Sequence, residues 1–259
     1  PDSILTLGAD TPMKGAARAE LQRALDGLTG KAPASIDKAR LDTIVLARGA
    51  DLPAGLDAAP AVRDALKKLG DEGYLVRRAK LNGVAVTLVA ANADAGLLYG
   101  SFAWLRQLQL GTRADSIALA SRPTLPLRVL NHWDNLDRSV ERGYAGESIW
   151  NWWELPHIID PRYTDYARAN ASLGINGTVL NNVNSKAEVL GAPFIAKAAA
   201  IADVLRPYGI RIYLSVRWST PLEMKQTKTA DPLDPEVAAW WRNKADEIYR
   251  TIPDFGGFL

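Results

Sequence analysis

Apolar residues in the first 122 positions predict a mixed α/β unit. Leucines recur every three or four residues between 21 and 28, as on one face of a helix. Thr11 and Pro12, just upstream, suit a helix cap and first turn. Asn82-Gly83 lies between two apolar runs and predicts a tight β-hairpin. Strands are predicted at 4–7, 43–47, 73–79, 84–90 and 116–119, with further helices at 60–69 and 94–110.

The pattern changes after the proline-rich segment 121–126, which favours an extended linker. Strands and helices then alternate, as in a parallel sheet. Three and a half strand–helix units predict the first part of a (β/α)8 barrel, cut in or after its fourth strand. We therefore predict a domain at 1–122 and an incomplete barrel at 123–259. The predicted strands are 127–131, 175–182, 210–216 and 255–259, and the helices 162–173, 189–207 and 234–251.

Composition narrows the functional classes. The 259 residues are 47% hydrophobic and 23% charged, which is ordinary for a globular protein, and the net charge is +2. This balance argues against a nucleic-acid binder, and no apolar run predicts a membrane span. With no cysteine and two histidines, the chain has no thiolate nucleophile and no multi-histidine metal centre. Periplasm, cell surface and cytoplasm all remain open.

Polar and aromatic residues follow each predicted strand of the second block, where a parallel barrel carries its active site. The first strand is followed by NHWDN at 131–135, the second by NNVN at 181–184, and the third by Arg217 and Trp218. Amides, a carboxylate, a guanidinium and indoles together suit a sugar, whose hydroxyls need polar partners and whose apolar face stacks on an aromatic ring. Trp133 is the first candidate for such a platform.

The same residues also have structural interpretations. Trp133 suits packing as well as ligand contact, and His132 suits a hydrogen-bonded structural role. Asparagines at strand ends also serve turns and caps. We expect packing for at least one of Trp240 and Trp241, and the tryptophans between 150 and 153 are a candidate loop core.

Glycoside hydrolysis needs two carboxyl groups, and spacing alone marks no pair here. Asp134 lies nearest a strand end, whereas Glu141 beside Arg142 suits a structural ion pair. The candidates are Asp134, Asp137, Glu141, Glu147 and Glu154.

The motif NHWDNLD at 131–137, followed by ERGYAG at 141–146, resembles the family 67 glycoside hydrolases, the α-glucuronidases of xylan breakdown. The resemblance continues through PRYTDYAR, ASLGING, NNVN and the final IPDFGGFL, and more weakly through the first block at 73–75 and 98–102. It implies an N-terminal α/β domain and the opening strands of a (β/α)8 barrel. It also implies removal of glucuronic acid, or its 4-O-methyl ether, from the terminal xylose of xylooligosaccharides, with inversion and without cofactor or metal.

The resemblance places the acid and base residues of the family beyond Leu259, so we expect no catalytic residue within this chain and no activity from it alone. It carries over a substrate-binding set. Trp133 matches the tryptophan that packs on the uronic acid, and Val183 matches the position beside the 4-O-methyl group. Asp134 and His132 share the first motif with less defined roles. The implied partners are glucuronoxylan-derived oligosaccharides and, in the full-length enzyme, a second copy forming a homodimer.

Two other functions remain open from the residues. A non-catalytic carbohydrate-binding protein fits the aromatic residues. A small-barrel isomerase or aldolase needs a strand-end lysine or a metal cluster, and neither is evident. The apolar ending at 255–259 further suggests an interrupted barrel.

Overall fold

Two separate β-sheets organise the chain in a computed structural model that describes residues 1–259. They lie in two compact units, Pro1–Pro126 with Ala171–Gly174, and Leu127–Asn170 with Ile175–Leu259. The predicted mixed α/β class is confirmed. None of the helices combines the length and the apolar character that a membrane span requires.

The first unit holds a six-stranded mixed sheet in the order β2-β1-β3-β5-β4-β6. The first four strands of this order run parallel, whereas β4 is antiparallel to both β5 and β6. Its elements are β1 (Ser3–Thr6), α1 (Pro12–Thr29), β2 (Ala34–Ser35), β3 (Ile44–Arg48), α2 (Ala59–Leu66), β4 (Tyr74–Leu81), β5 (Val84–Ala91), α3 (Asp94–Gln109) and β6 (Leu119–Ser121).

Local sequence determines two features of this unit as predicted. The Thr11 hydroxyl caps α1 by accepting a hydrogen bond from the Lys14 backbone amide at 3.2 Å. Asn82 and Gly83 both adopt positive φ, 50° and 82°, which the two-residue hairpin between β4 and β5 requires. Strand β2 was not predicted, because only two residues pair there, and β6 begins three residues later than expected.

The second unit holds a four-stranded sheet in the order β10-β9-β8-β7, and all neighbouring strands are parallel. A helix lies between each consecutive pair of strands, as the alternating pattern predicted. Four strands do not show a closed barrel, so the (β/α)8 architecture stays a prediction. The elements are β7 (Val129–Asn131), α4 (Pro161–Ser172), β8 (Gly177–Val179), α5 (Ala192–Leu205), β9 (Arg211–Leu214), α6 (Thr220–Glu223), α7 (Pro235–Thr251) and β10 (Gly257–Phe258).

Strand β8 is much shorter than the predicted run 175–182. The Leu180 amide still donates to the Tyr213 carbonyl at 3.1 Å. Beyond Leu180 the regular ladder stops. There the side-chain amides of Asn181 and Asn182 donate to backbone carbonyls of the neighbouring loops. Strands β7, β9 and β10 are also shorter than predicted, so the residues beside them lie in loops.

The Tyr213 ring on β9 packs against two glycines, Gly177 in β8 and Gly256 just before β10. A Cβ atom added at Gly256 would lie 2.3 Å from the ring, and one added at Gly177 would lie 2.8 Å from it. The absence of these two side chains makes room for the ring between β8 and β10. Helix α5 packs behind β9 through a buried apolar face that includes Ile195, Ile201 and Leu205.

We expect Gly256→Ala to lower the free energy of unfolding by about 1–3 kcal/mol, because the added methyl group overpacks the Tyr213 ring. Urea denaturation of the chain, followed by far-UV circular dichroism, measures the change. Gly15→Ala in α1 is the control. No atom lies within 4 Å of its added Cβ, and helix propensity predicts stabilisation by about 0.5–1 kcal/mol.

Tyr213→Leu provides a second check, because the smaller side chain relieves the contact. The cost of Gly256→Ala should therefore shrink in the Tyr213→Leu background. An equal cost in both backgrounds would show that the ring does not set the requirement for glycine.

Candidate functional site

The loops that leave the carboxyl ends of β7, β8 and β9 meet at one edge of the parallel sheet. Trp133 follows β7 and is 51% exposed, and Val183 follows β8 and is 45% exposed. Asp134 is buried, and His132 is partly buried. The structure thus assembles the four sequence-predicted residues at this edge, two of them accessible and two behind the surface.

His132 is one of the two inner members of a row of four polar side chains. Its Nε2 atom lies 2.8 Å from the Tyr166 hydroxyl, which in turn lies 2.8 Å from Thr178 Oγ1. On the other side of the ring, Nδ1 lies 3.6 Å from Asp134 Oδ1. The row joins the loop after β7 to α4 and β8, with a hydrogen bond to Tyr166 on one side of the imidazole and the Asp134 carboxylate close to the other.

One arrangement of the hydrogens satisfies the whole row. In it Thr178 donates to Tyr166, Tyr166 donates to His132 Nε2, and the proton on Nδ1 faces the Asp134 carboxylate. Burial raises the pKa of Tyr166 to about 12, and the nearby Asp134 carboxylate adds to the rise. Tyr166 therefore stays protonated throughout the physiological range and keeps its donor.

Asn182 connects the two loops that carry the exposed candidates. Its Nδ2 atom donates to the Trp133 carbonyl at 3.2 Å and to Glu141 Oε2 at 3.1 Å. Its backbone amide donates to the Asp134 carbonyl at 2.7 Å. The Glu141 amide also donates to the Trp133 carbonyl, at 2.8 Å. The backbone of Trp133 is therefore held by two donors.

The side chain of Asn181, one residue earlier, bonds to Ser215, which directly follows the neighbouring strand β9. Its amide accepts from the Ser215 backbone N–H at 3.0 Å and donates to the Ser215 carbonyl at 2.9 Å. This two-bond pairing ties the end of β8 to the end of β9. The loop that then carries Arg217 and Trp218 starts from a fixed point.

Arg217 and Trp218 contribute differently at this edge. Arg217 donates to Glu223 Oε2 at 2.6 Å, and Ser219 donates to the other oxygen of the same carboxylate. Trp218 is 77% exposed and meets Trp241 edge-on, with ring centroids 6.2 Å apart. The guanidinium thus braces the loop that presents this indole.

Aromatic rings support the loop between β7 and α4. Trp150 is fully buried and packs against His132, Tyr163 and Tyr166, with centroids 5.2–5.7 Å apart. The tryptophans between 150 and 153 form a loop core in part. Trp152 is buried, whereas Trp153 is exposed.

The carboxylates nearest the edge have partners within the chain. Asp137 accepts from the Ser139 hydroxyl at 2.6 Å, and this bond, the largest cause, holds its pKa below the usual range. Glu141 pairs with Asn182 more closely than with Arg142, whose guanidinium lies 3.7 Å away and is largely exposed. No group of histidine and carboxylate side chains in residues 1–259 converges in a way that holds a metal ion.

Sequence reasoning missed Tyr166 and the bond from Asn182 to Glu141. Tyr163, Tyr166, Ala167 and Asn170 recur at helical spacing in α4, and that spacing places Tyr166 on the same helix face as buried neighbours. The Asn182 bond leaves no comparable trace, because 41 residues separate it from Glu141.

The raised pKa of Tyr166 predicts an alkaline loss of stability. Its contribution is complete below pH 10, the ordinary tyrosine value, and is lost as pH rises through about 12, because the unfolded chain ionises first. We expect Tyr166→Phe to reduce this loss by up to about 2 kcal/mol. Urea denaturation at several pH values between 9 and 12 measures it.

Tyr144→Phe is the matched control, because Tyr144 is 76% exposed. It should follow the wild-type pH dependence. If Tyr166→Phe also follows the wild-type curve, burial in the folded protein does not raise the pKa of the Tyr166 phenol.

Two family models match adjoining parts of the chain. The model described as the glycosyl hydrolase family 67 N-terminus matches residues 1–104, and the model of the family's middle domain matches residues 107–259. Together they cover both compact units of the structure.

Curated relatives agree with these matches. A probable alpha-glucuronidase A of Aspergillus oryzae is 37% identical over the whole chain, which covers 30% of that protein. The alpha-glucuronidase A of Emericella nidulans is 39% identical over 74% of the chain and 23% of its own length. The chain thus spans about a third or less of these relatives.

Solved structures show the same fold at low identity. A family GH138 enzyme targeting pectin rhamnogalacturonan II aligns over 98% of this chain and 30% of its own, at 16% identity and a TM-score of 0.64. A family GH115 4-O-methyl-alpha-glucuronidase with specificity for decorated arabinogalactans aligns over 96% and 34%, at 12% identity and 0.62. From the family models that match nearly all of its residues, the chain belongs to glycosyl hydrolase family 67.

Proposed function

We propose that the chain forms part of the substrate-binding region of an α-glucuronidase. The enzyme removes glucuronic acid, or its 4-O-methyl ether, from the terminal xylose of xylooligosaccharides. The observation that carries the proposal is the half-exposed Trp133, whose backbone is anchored at the carboxyl edge of the sheet, in a chain whose relatives are named alpha-glucuronidase. A fixed indole provides a stacking surface for the apolar face of a sugar.

The four candidate residues take separate roles in this proposal. Trp133 packs on the uronic acid ring, and the small apolar side chain of Val183 leaves room for the 4-O-methyl group. Asp134 and His132 are less exposed than Trp133. The contact between them and the hydrogen bond between His132 and Tyr166 stiffen the loop that bears the indole. A stiff platform costs less conformational entropy when substrate binds.

The proposed architecture is an accessory α/β domain at 1–122 followed by the first part of a (β/α)8 barrel at 123–259. Its support is the run of four parallel strands, with a helix between each consecutive pair. Substrate-binding residues then lie at the carboxyl ends of barrel strands, where this fold places its sites. The homodimer of the full-length enzyme stays a prediction.

The catalytic acid and base belong to parts of the enzyme outside these 259 residues. Inverting hydrolysis needs one carboxylic acid and one carboxylate across the glycosidic bond. Two of the five acidic candidates accept hydrogen bonds within the chain, Asp137 from Ser139 and Glu141 from Asn182. This pairing supports a binding role for this region.

We expect the 259-residue chain to hydrolyse no aldouronic acid, while the full-length protein releases glucuronic acid from the same substrates. Reducing-end analysis of reactions with aldotriuronic acid measures both. Turnover by the isolated chain at the full-length rate would contradict the assignment of the catalytic groups. Binding without turnover by the full-length protein would favour a carbohydrate-binding function instead.

Trp133→Ala in the full-length protein should lower kcat/KM about a hundredfold, or about 3 kcal/mol, because it removes the stacking surface. Tyr249→Ala is the matched control, since Tyr249 is an aromatic residue of the same unit that is 46% exposed and lies near the end of α7, outside the candidate site. It should change kcat/KM less than twofold. Equal kinetics for the Trp133 variant and the wild type would remove Trp133 from the site.

A further inference from the structure

Asn182 is a buried residue whose side-chain N–H groups and side-chain oxygen all have hydrogen-bond partners. Its Nδ2 atom donates to Trp133 and Glu141, and its Oδ1 atom accepts from the Asn184 backbone amide at 2.8 Å. Its backbone N–H donates to Asp134, and its carbonyl accepts from the Ser185 backbone amide. The residue is therefore held in one conformation.

The surroundings also dictate which way the amide faces. Two acceptors, the Trp133 carbonyl and the Glu141 carboxylate, lie beside one end of the group, and one donor, the Asn184 N–H, lies beside the other. Reversing the amide would place oxygen against two oxygens and leave a buried N–H facing another N–H. Such a loss costs about 1–3 kcal/mol for each unsatisfied buried group.

This arrangement links the two exposed residues of the candidate site. Asn182 holds the carbonyls of Trp133 and Asp134 on the β7 side, and Val183 is the next residue along the chain on the β8 side. Asn182 therefore connects the backbone of the residue that bears the indole directly to the residue before Val183.

We propose that Asn182 is a positioning residue that sets the gap between Trp133 and Val183, and that this gap determines how well the enzyme distinguishes 4-O-methylated from plain glucuronic acid. The inference rests on the proposed function. We expect Asn182 to make no contact with the substrate. It acts through the backbone of Trp133, to which it donates, and through Val183, the next residue in the chain.

Asn182→Asp in the full-length protein is the sharpest test. The side chain keeps its size and can still accept from Asn184, but an oxygen replaces the donor that faces Trp133 and Glu141. Asn184→Asp is the matched control, because it adds the same charge two residues away on an exposed side chain that makes no hydrogen bond to Trp133 or Glu141.

Two measurements are made on each variant. The first is kcat/KM for aldotriuronic acid with and without the 4-O-methyl group. Asn182→Asp should lower it about 10- to 100-fold and shift the ratio between the two substrates at least about threefold, since displacement of one wall affects the bulkier sugar differently. A general loss of folded enzyme would lower both values and leave the ratio unchanged.

The second measurement is hydrogen–deuterium exchange in peptides covering residues 133–147. The Glu141 amide, which donates to Trp133, should exchange faster in Asn182→Asp and at the wild-type rate in Asn184→Asp. This readout does not depend on catalysis, so it still tests the positioning role if the wild-type protein hydrolyses neither substrate and the proposed function fails.

Wild-type exchange in Asn182→Asp would overturn the positioning role, because Trp133 would then be held without Asn182. Faster exchange with an unchanged substrate ratio in an active enzyme would overturn the specificity role. An effect of equal size in Asn184→Asp would assign the result to added charge.

Discussion

The carboxyl edge of the second sheet depends on how the end of its strand β8 satisfies buried polar groups. A strand that stops inside a protein leaves backbone donors and acceptors without a ladder, and buried groups of this kind need partners. Asn181 and Asn182 supply them through side-chain amides that reach in opposite directions. Asn181 pairs with both backbone groups of Ser215, and Asn182 bonds to the carbonyl of Trp133. Two consecutive side chains therefore connect three loops.

The buried row from Asp134 to Thr178 extends the same constraint into the helical layer. It passes through His132 and Tyr166, so the loop after β7 is tied to α4 and β8 by polar contacts, while Trp150 packs against the same rings. A buried polar network is favourable only when each member is satisfied. The arrangement in which Thr178, Tyr166 and His132 donate in turn meets that condition.

These contacts separate the exposed apolar groups of the candidate site from the polar groups that lie beneath them. The exposed groups are an indole and an isopropyl group, whereas the charged and polar groups behind them are occupied with one another. Such a surface is suited to stacking against the apolar face of a sugar. Asp137 and Glu141 accept hydrogen bonds from neighbouring groups of the chain, which agrees with our proposal that the chemistry belongs to other parts of the enzyme.

Most local elements and the family could be predicted from the order of residues alone. Thr11 predicted the cap of α1, and Asn82-Gly83 predicted the hairpin. The alternation of apolar runs predicted the parallel sheet. Each of these features depends on residues close together in the chain. The motif around Trp133 identified the relatives. The folded chain was needed to show that β8 ends after Val179, that Tyr166 bonds to His132, and that Glu141 binds Asn182 more closely than Arg142. Those outcomes depend on contacts between residues up to 49 positions apart, and hydrophobic periodicity carries no information about which buried amide meets which distant carbonyl.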